Sequence, residues 1–136
     1  MSKTYGVGIA GLGTVGLGFL KQLKNFKTPS QKNANINVIK IAVKNIRKKR
    51  SLSVKSLPLT TDTMSLATND NVDILIELIG GSKGIAYKVV KKALQNKKHV
   101  ITANKALLAV HGNELSKIAE QNNVCLNYEA AIAGGI

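Results

Sequence analysis

The sequence contains a single cysteine, Cys125, no tryptophan, and only three tyrosines and two phenylalanines among its 136 residues. One cysteine cannot form a disulfide within the chain, so the fold does not require an oxidising compartment. We therefore expect a cytoplasmic protein held by one hydrophobic core, which a chain of this length can build. The few aromatic side chains leave little surface on which nucleic-acid bases could stack.

Long hydrophobic runs are absent as well. No segment approaches the roughly 18 to 20 consecutive apolar residues that a membrane-spanning helix requires. The opening residues 1–22 imitate a secretory signal, because Lys3 precedes an apolar run. However, glycine recurs in that run, and Lys21 and Lys24 stand where small cleavage-site residues belong. We predict neither a membrane partner nor export.

Acidic residues are scarce, since seven Asp and Glu oppose twenty Lys and Arg and give a formal net charge of +13. A field of this sign attracts phosphates of any kind. The densest basic cluster is "KNIRKKR", residues 44–50, and no aromatic residue is interleaved with it. Nucleic-acid binding through this cluster is a disfavoured alternative, and lysines typical of solvated surfaces explain most of the charge.

Segments with the apolar pattern of strands alternate along the chain with segments that have helical spacing. Strands are predicted over residues 5–10, 36–43, 72–79, 99–103 and 124–132. Helical spacing follows the first strand at Val15, Phe19, Leu23 and Phe26, and a second amphipathic helix is predicted over 82–97. Residues 104–122 predict one or two further helices, with a possible break at Gly112. The alternation predicts a single α/β domain, 1–136, built on a doubly wound parallel sheet.

Two segments lack a clear period. Residues 27–35, with Pro29, are predicted to form a surface loop, and residues 44–61, with Pro58, a loop with at most fragments of regular structure. By contrast, "VDILIELI", residues 72–79, is almost continuously apolar, which is typical of a parallel strand covered by helices on both faces. We expect this strand at the centre of the sheet.

A glycine pattern lies where the first strand should turn into the first helix. Gly11, Gly13 and Gly16 match G-x-G-x-x-G in that context, which favours a dinucleotide-binding turn over a merely glycine-rich bend. The first glycine permits a tight turn, the second lets a pyrophosphate approach the backbone, and the third lets the helix pack close to the strand. Amides of the first helical turn, around Thr14 and Val15, would then bind the anion.

The end of the second strand lacks the acidic residue that usually binds the adenosine ribose. Lys44, Asn45 and Arg47 stand there instead. Because no carboxylate opposes a 2′-phosphate and cations could hold one, the sequence favours NADP over NAD. The alternative, a solvated basic loop, stays open.

Several further residues of the sequence are candidates for a functional or a structural role. Gly80 and Gly81 follow the presumed central strand, where ligands of open α/β sheets gather. Glu77 precedes them within an apolar run and must be either paired or functional, because a buried, unpaired acid is costly. No metal-ligand spacing links His99, His111 and Cys125, so we predict structural roles for the histidines and core packing for the cysteine.

Four segments taken together resemble a specific enzyme family. In chain order, "GIAGLGTVG", "DILIELIGG", "VITANKALLA" and "NYEAAIAGGI" are similar to signatures of homoserine dehydrogenase. The resemblance extends from Val7 to Ile136, with a gap in the loop after residue 44. It implies a Rossmann nucleotide-binding domain and the NAD(P)-dependent interconversion of L-homoserine and L-aspartate 4-semialdehyde, an oxidoreductase step of threonine and methionine biosynthesis.

The resemblance also implies roles for particular residues. Leu12, Thr14 and Val15 would contact the pyrophosphate together with the glycines of the turn. Lys44 would meet the ribose or its 2′-phosphate, although the family often has arginine followed by aspartate at this point. Lysine acts there as a point charge rather than as a bidentate fork.

At the other end of the coenzyme, the resemblance implies that Gly80 and Gly81 border the nicotinamide. Lys105, in "TANK", matches a lysine beside the reacting carbon. A base is needed there because the hydroxyl proton must leave when hydride is transferred, and a desolvated amine can act as one.

The last matching segment resembles a loop that holds a monovalent cation, Na⁺ or K⁺, through a carboxylate and backbone carbonyls. The corresponding positions are Glu129, Ile132, Gly134 and Ile136, and hard oxygen ligands suit such an ion. The family's substrate and dimerisation domain lies beyond this segment, so we expect an isolated nucleotide-binding domain without turnover of its own. The parent enzyme is expected to be a homo-oligomer.

One alternative of a different class remains. A noncatalytic Rossmann module could sense a nucleotide and regulate a partner, but it would need neither Lys105 nor the cation loop.

Overall fold

A computed structural model describes residues 3–11, 34–44 and 58–129. Within these ranges the order of elements is β1 (Lys3–Ala10), β2 (Ala34–Ala42), β3 (Leu59–Thr60), α1 (Ser65–Thr68), β4 (Ile74–Glu77), α2 (Ile85–Gln95), β5 (His99–Thr102), α3 (Lys105–Gln121) and β6 (Leu126–Tyr128). The predicted first helix, and with it Val15, Phe19, Leu23 and Phe26, lies outside the described residues.

The described strands form one sheet in the order β3-β2-β1-β4-β5-β6. Every neighbouring pair is parallel. From β1 the chain first builds outward through β2 and β3, then returns to the other side of β1 with β4 and continues outward to β6. The predicted parallel sheet is confirmed, and the direction of winding reverses between β1 and β4.

Strand β4 occupies the predicted central position beside β1. Leu75 and Ile76 are buried on opposite faces of the sheet, which explains why the apolar run has no polar alternation. The regular strand is shorter than the predicted 72–79. A turn precedes it, in which the Val72 amide donates to the Asn69 carbonyl.

The core lies on both faces of the sheet. On one face, side chains of the strands pack against helices α1, α2 and α3 in a cluster that includes Leu66, Leu75, Val89, Val100 and Leu115. On the other face, a second buried cluster consists of Val7, Ile9, Ile41, Val43 and Ile76. Alternation along the strands therefore supplies apolar side chains to both layers.

Helix α2 confirms the predicted amphipathic pattern. Its buried residues, Ala86, Val89, Val90, Ala93 and Leu94, recur at three- and four-residue spacing and face the sheet. No helix in the described part of the chain has the length and apolar character needed to span a bilayer.

The structure decides two expectations that the sequence left open and contradicts a third. Residues 105–121 form one helix, α3, without a break at Gly112, and the only regular element in the described end of the predicted loop 44–61 is the two-residue edge strand β3. Cys125 is exposed, so its predicted core packing is wrong. It precedes the short edge strand β6, and its amide donates to His99 Nδ1 at 3.1 Å. His99 therefore has the structural role that was predicted.

Candidate functional site

The carboxyl ends of the strands lie level with one another. Neighbouring residues in register form one row across the sheet, which consists of Thr60, Ala42, Ala10, Glu77, Thr102 and Tyr128. Because all strands are parallel, the segments that leave this row emerge at a single edge. Six of the predicted site residues lie in these segments: Gly11, Lys44, Gly80, Gly81, Lys105 and Glu129.

Gly11 is the first residue after β1 and begins the predicted turn. Its φ is +104°, and a Cβ there would lie 3.1 Å from both the carbonyl carbon and the oxygen of Leu78. Its amide donates to the Ala42 carbonyl at 2.9 Å. Both the backbone conformation and the close approach of Leu78 require glycine. Leu12, Gly13, Thr14, Val15 and Gly16 lie outside the described residues, so their contacts stay predictions.

Lys44 lies just beyond the end of β2, the strand next to β1. Val43 is buried, and its amide donates to Thr60 at 2.8 Å, whereas Lys44 is exposed. The cation is therefore at the carboxyl edge, where the adenosine ribose of a dinucleotide is held in such sheets. Asn45 and Arg47 lie outside the described residues.

Gly80 and Gly81 follow β4 with φ values of +88° and +82°. A Cβ at either position would meet no atom of the described residues within 4 Å. The conformation thus favours glycine, and no described residue fills the space beside the turn. Such space at the switch point between β1 and β4 is where a ligand of an open α/β sheet binds.

Glu77, the last residue of β4, has none of its surface exposed. Its Oε2 accepts hydrogen bonds from the amides of Ile79 at 2.7 Å and Gly80 at 3.1 Å, and its Oε1 accepts one from Thr102 Oγ1 at 2.6 Å. Of the two possibilities that the sequence left open, the structure shows partners at the strand end. Two of those partners are amides of the turn after β4, so the carboxylate shapes the site.

Asn104 is a site residue that the sequence reasoning missed. It caps helix α3, with its side-chain oxygen accepting from the Leu107 amide at 3.0 Å, and its amide nitrogen donates to the Gly81 carbonyl. Its own backbone amide donates to Thr102 Oγ1 at 2.9 Å. An asparagine immediately before a helix is a preferred N-cap, so its position before "KALL" was a signal for it.

Lys105 is the first residue of α3 and is exposed. The cap at Asn104 fixes where this residue leaves the sheet edge, between the ends of β4 and β6. Lys105 thus lies at the same carboxyl edge as Gly80 and Gly81, and its place beside the reacting carbon stays a prediction.

Glu129 is exposed at the end of β6, and its amide donates to the Thr102 carbonyl at 2.9 Å. It is the one member of the predicted cation loop within the described ranges, since Ile132, Gly134 and Ile136 lie outside them. Across residues 3–11, 34–44 and 58–129, no three His, Cys, Asp or Glu side chains gather into a metal site. The carbonyl-based loop stays a prediction.

A cleft of about 410 Å³ lies at the opposite edge of the sheet. Its lining comes from residues before or at the start of β1, β4 and β5, among them Tyr5, Asp73 and His99. It shares no residue with the carboxyl edge and contains none of the predicted site residues.

The fold and site together define a class of protein. A parallel sheet in this strand order, with a glycine of positive φ directly after the first strand and a glycine turn at the switch point beside it, is a dinucleotide-binding domain of the Rossmann class. The family model described as "Homoserine dehydrogenase, NAD binding domain" matches residues 11–129. The chain belongs to this family.

Individual relatives agree with the family match. A homoserine dehydrogenase of Pseudomonas aeruginosa is 43% identical over 136 residues, which cover 98% of this chain and 31% of that protein. The crystal structure of S. aureus homoserine dehydrogenase at pH 7.0 superposes with a TM-score of 0.87 and 39% identity, over 96% of this chain and 33% of that one. The chain therefore spans about a third of the length of these relatives.

A more distant structure shares the fold. A hyperthermophilic archaeal homoserine dehydrogenase in complex with NADPH superposes with a TM-score of 0.71 at 21% identity, over 95% of this chain and 44% of that chain. The family match also favours the enzymatic interpretation over a noncatalytic sensing module.

Proposed function

We propose that the protein binds NADP or NAD at the carboxyl edge of its sheet and, as part of a homoserine dehydrogenase, serves the interconversion of L-homoserine and L-aspartate 4-semialdehyde. The observation that carries the proposal is the row of strand ends from Ala42 to Thr102, which sets Gly11, Lys44, the Gly80–Gly81 turn and Lys105 along one edge. Along the edge the order is Lys44, Gly11, the Gly80–Gly81 turn and Lys105. The parts of a bound NADP would follow the same order, from the adenosine ribose through the pyrophosphate to the nicotinamide.

The turn at Gly11 would hold the pyrophosphate together with the amides of residues 12–16. A side chain at Gly11 would clash with the backbone of Leu78, so the tight turn that leads from β1 into these amides requires glycine at this position. Helix N-terminal amides favour anions by their unpaired N–H groups and by the helix dipole. The net charge of +13 would add a general attraction for the phosphates.

Lys44 would bind the 2′-phosphate that distinguishes NADP from NAD. It is exposed at the end of β2 and has the charge that a phosphate needs. This preference for NADP is in line with the NADPH bound by the archaeal relative.

Lys105 would serve the proton transfer at the other end of the site. When bound, the nicotinamide supplies or accepts the hydride. Lys105 Nζ, positioned by the cap at Asn104, would take the proton of the homoserine hydroxyl or return it to the aldehyde oxygen. The Gly80–Gly81 turn, where a Cβ would meet no described atom within 4 Å, would leave room for the ring.

The monovalent cation belongs to the same proposal. Glu129 leaves the sheet edge next to Thr102 and would supply the carboxylate ligand, with carbonyls of Ile132, Gly134 and Ile136 as the others. An increase in Tm with KCl or NaCl over tetramethylammonium chloride at equal ionic strength, abolished in Glu129→Gln, would support it. Equal Tm values in all three salts would contradict it.

Under this proposal the protein works in the cytoplasm, because a lone cysteine needs no oxidising compartment. The substrate is a small molecule, neither nucleic acid nor membrane is a partner, and the complete enzyme is a homo-oligomer.

Isothermal titration calorimetry of the chain with NADPH and NADH tests the proposal. Binding rather than turnover is the suitable measurement, because the chain spans about a third of the related enzymes. We expect saturable binding of at least one nucleotide, lost in Gly11→Val. Absence of heat from both nucleotides with the folded wild-type chain would contradict the proposal.

A further inference from the structure

The side chain of Asn104 uses both ends of its amide in a buried position, with 5% of the residue exposed. The oxygen accepts from the Leu107 amide, and the nitrogen donates to the Gly81 carbonyl. These partners fix the orientation of the amide group, because an N–H needs an acceptor and a carbonyl needs a donor. One residue therefore connects the turn after β4 to the first turn of α3.

Glu77, the last residue of β4, also holds this turn. Its carboxylate accepts from the amides of Ile79 and Gly80, so three successive residues of the turn are fixed by two buried side chains. Thr102 connects Glu77 and Asn104, since its hydroxyl donates to the Glu77 carboxylate and accepts from the backbone amide of Asn104. Two glycines with positive φ would otherwise have many accessible conformations.

We propose that Asn104 is a positioning residue that fixes the Gly80–Gly81 turn relative to Lys105 and so determines how the nicotinamide half of the coenzyme is held. This inference rests on the proposed function. Asn104 does not itself touch the coenzyme in this account; it acts through the Gly81 carbonyl on one side and through the start of α3 on the other. Its contribution should therefore concern one half of the dinucleotide.

Asparagine is required by this arrangement because it combines an acceptor and a donor on one short planar group. Serine keeps the acceptor for the helix cap but is too short to reach Gly81 as well. Aspartate keeps a strong cap and places a second oxygen opposite the Gly81 carbonyl, where two acceptors repel. The two substitutions thus separate the cap from the bond to the turn.

Paired titrations of the whole chain test the inference. Wild type, Asn104→Ser and Asn104→Asp would be titrated with NADPH, followed by nicotinamide fluorescence, and with adenosine 2′,5′-bisphosphate, which lacks the nicotinamide half. We expect both variants to bind the bisphosphate within twofold of wild type. We expect roughly three- to tenfold weaker NADPH binding in Asn104→Ser, from the loss of one buried hydrogen bond, and a larger loss in Asn104→Asp.

The outcomes separate this inference from the proposed function. If the wild type binds neither ligand, the proposed function fails. If the wild type binds both, then unchanged NADPH affinity in Asn104→Asp, or equal losses for the two ligands in both variants, overturns the positioning role. Thermal unfolding of each variant shows that α3 keeps its cap, because the Tm of Asn104→Ser should stay close to that of wild type.

Discussion

Glu77 and Thr102 lie directly opposite one another at the ends of two neighbouring parallel strands, and the threonine hydroxyl donates to the glutamate carboxylate at 2.6 Å. From this pair, hydrogen bonds extend to the turn after β4 and to the cap of α3. A buried polar pair thereby determines the shape of the carboxyl edge, where the apolar core could not.

Replacing Glu77 with alanine should destabilise the fold. The amides of Ile79 and Gly80 and the hydroxyl of Thr102 would lose their acceptor in a buried position. We expect the free energy of unfolding to fall by on the order of 3 kcal/mol, since each unsatisfied group costs about 1 to 3 kcal/mol. Urea unfolding measures the change, with the exposed Glu120→Gln as a control that should behave like wild type.

Substitution of Gly11 should be far more costly than substitution of a helical glycine. Gly11→Ala combines a φ of +104° with a Cβ 3.1 Å from Leu78, so we expect a loss on the order of 2 kcal/mol together with weaker nucleotide binding. Gly112→Ala is the matched control. Its Cβ would meet Leu108 Cβ at an ordinary 3.8 Å. Because glycine is unfavourable inside a helix, this substitution should raise the free energy of unfolding by about 0.5 to 1 kcal/mol. Equal effects of the two substitutions would contradict the assigned turn.

Lys44 should discriminate between the two nucleotides. Lys44→Ala removes an exposed charge at the end of β2, so we expect roughly two- to fivefold weaker binding of NADPH and little change for NADH. The difference should shrink at high salt, because exposed charges are screened. Lys117→Ala, which removes an exposed charge from α3, serves as the control in calorimetry. Equal losses for both nucleotides would argue against a contact with the 2′-phosphate.

A polar cluster joins helices α2 and α3 on the surface, and we call it the α2–α3 clamp: Tyr87, Lys91, His111 and Glu114. Tyr87 donates to Glu114 at 2.7 Å, Lys91 donates to Tyr87 and to the second glutamate oxygen, both at 3.3 Å, and the rings of Tyr87 and His111 are 4.1 Å apart. His111 Nδ1 lies 3.8 Å from Glu114. This contact gives His111 the structural role predicted for it.

The clamp makes a pH-dependent contribution to stability. The hydroxyl of Tyr87 holds the pKa of Glu114 below its ordinary 4.5; desolvation opposes this shift, and Lys91 and His111 add to it. A lowered carboxyl pKa stabilises the fold above 4.5, and the contribution is lost as pH falls through the native value. The pKa of Lys91 is raised above 10.5 by Tyr87 and Glu114, so its contribution is lost only as pH rises beyond that value.

Tyr87→Phe tests the clamp. The variant keeps the ring against His111 and removes the hydroxyl, so the pKa of Glu114 should return towards 4.5 in an NMR titration of the carboxyl carbon. The deficit in Tm relative to wild type should be present at pH 6 and shrink as the solution is acidified below that pKa. A deficit that is constant from pH 3 to pH 6 would contradict the assignment.

Long apolar segments made most of the fold predictable. The helices α2 and α3 carry a helical period, and the strands β1, β2, β4 and β5 lie in apolar or β-branched segments of at least four residues. The two-residue β3 was expected only as an unplaced fragment of structure, because it is defined by long-range bonds, from the Ile41 amide to Pro58 and from the Val43 amide to Thr60, rather than by a local pattern. The single turn α1 is likewise too short to show a period.

The uninterrupted helix α3 shows how packing overrides a local preference. A glycine inside a helix costs only about 0.5 to 1 kcal/mol relative to alanine, whereas Leu107, Leu115 and Ala119 are buried along the helix and hold it on the sheet. The burial of Cys125 was predicted wrongly because a local pattern was extended too far. Alternation was extended beyond a strand that is only three residues long, at the edge of the sheet.

Candidate site residues could be predicted where a function requires a particular residue type. The glycines after β1 and β4 and the lysine after β2 can be recognised in the sequence, and the structure shows them at one edge of the sheet. The bonds from Glu77 to Thr102 and from Asn104 to Gly81 join positions 25 and 23 residues apart in the sequence. Only the register of β4 with β5 shows that these side chains meet.

Amide hydrogen exchange of the chain with and without NADPH tests the central claim most directly, namely that the nucleotide binds at the carboxyl edge of the sheet. We predict slower exchange in the segments that leave that edge, residues 43–44, 78–81 and 103–107, and no change around the opposite cleft, at residues 70–73 and 96–98. Protection confined to that cleft, or no protection with saturating NADPH, would contradict the account.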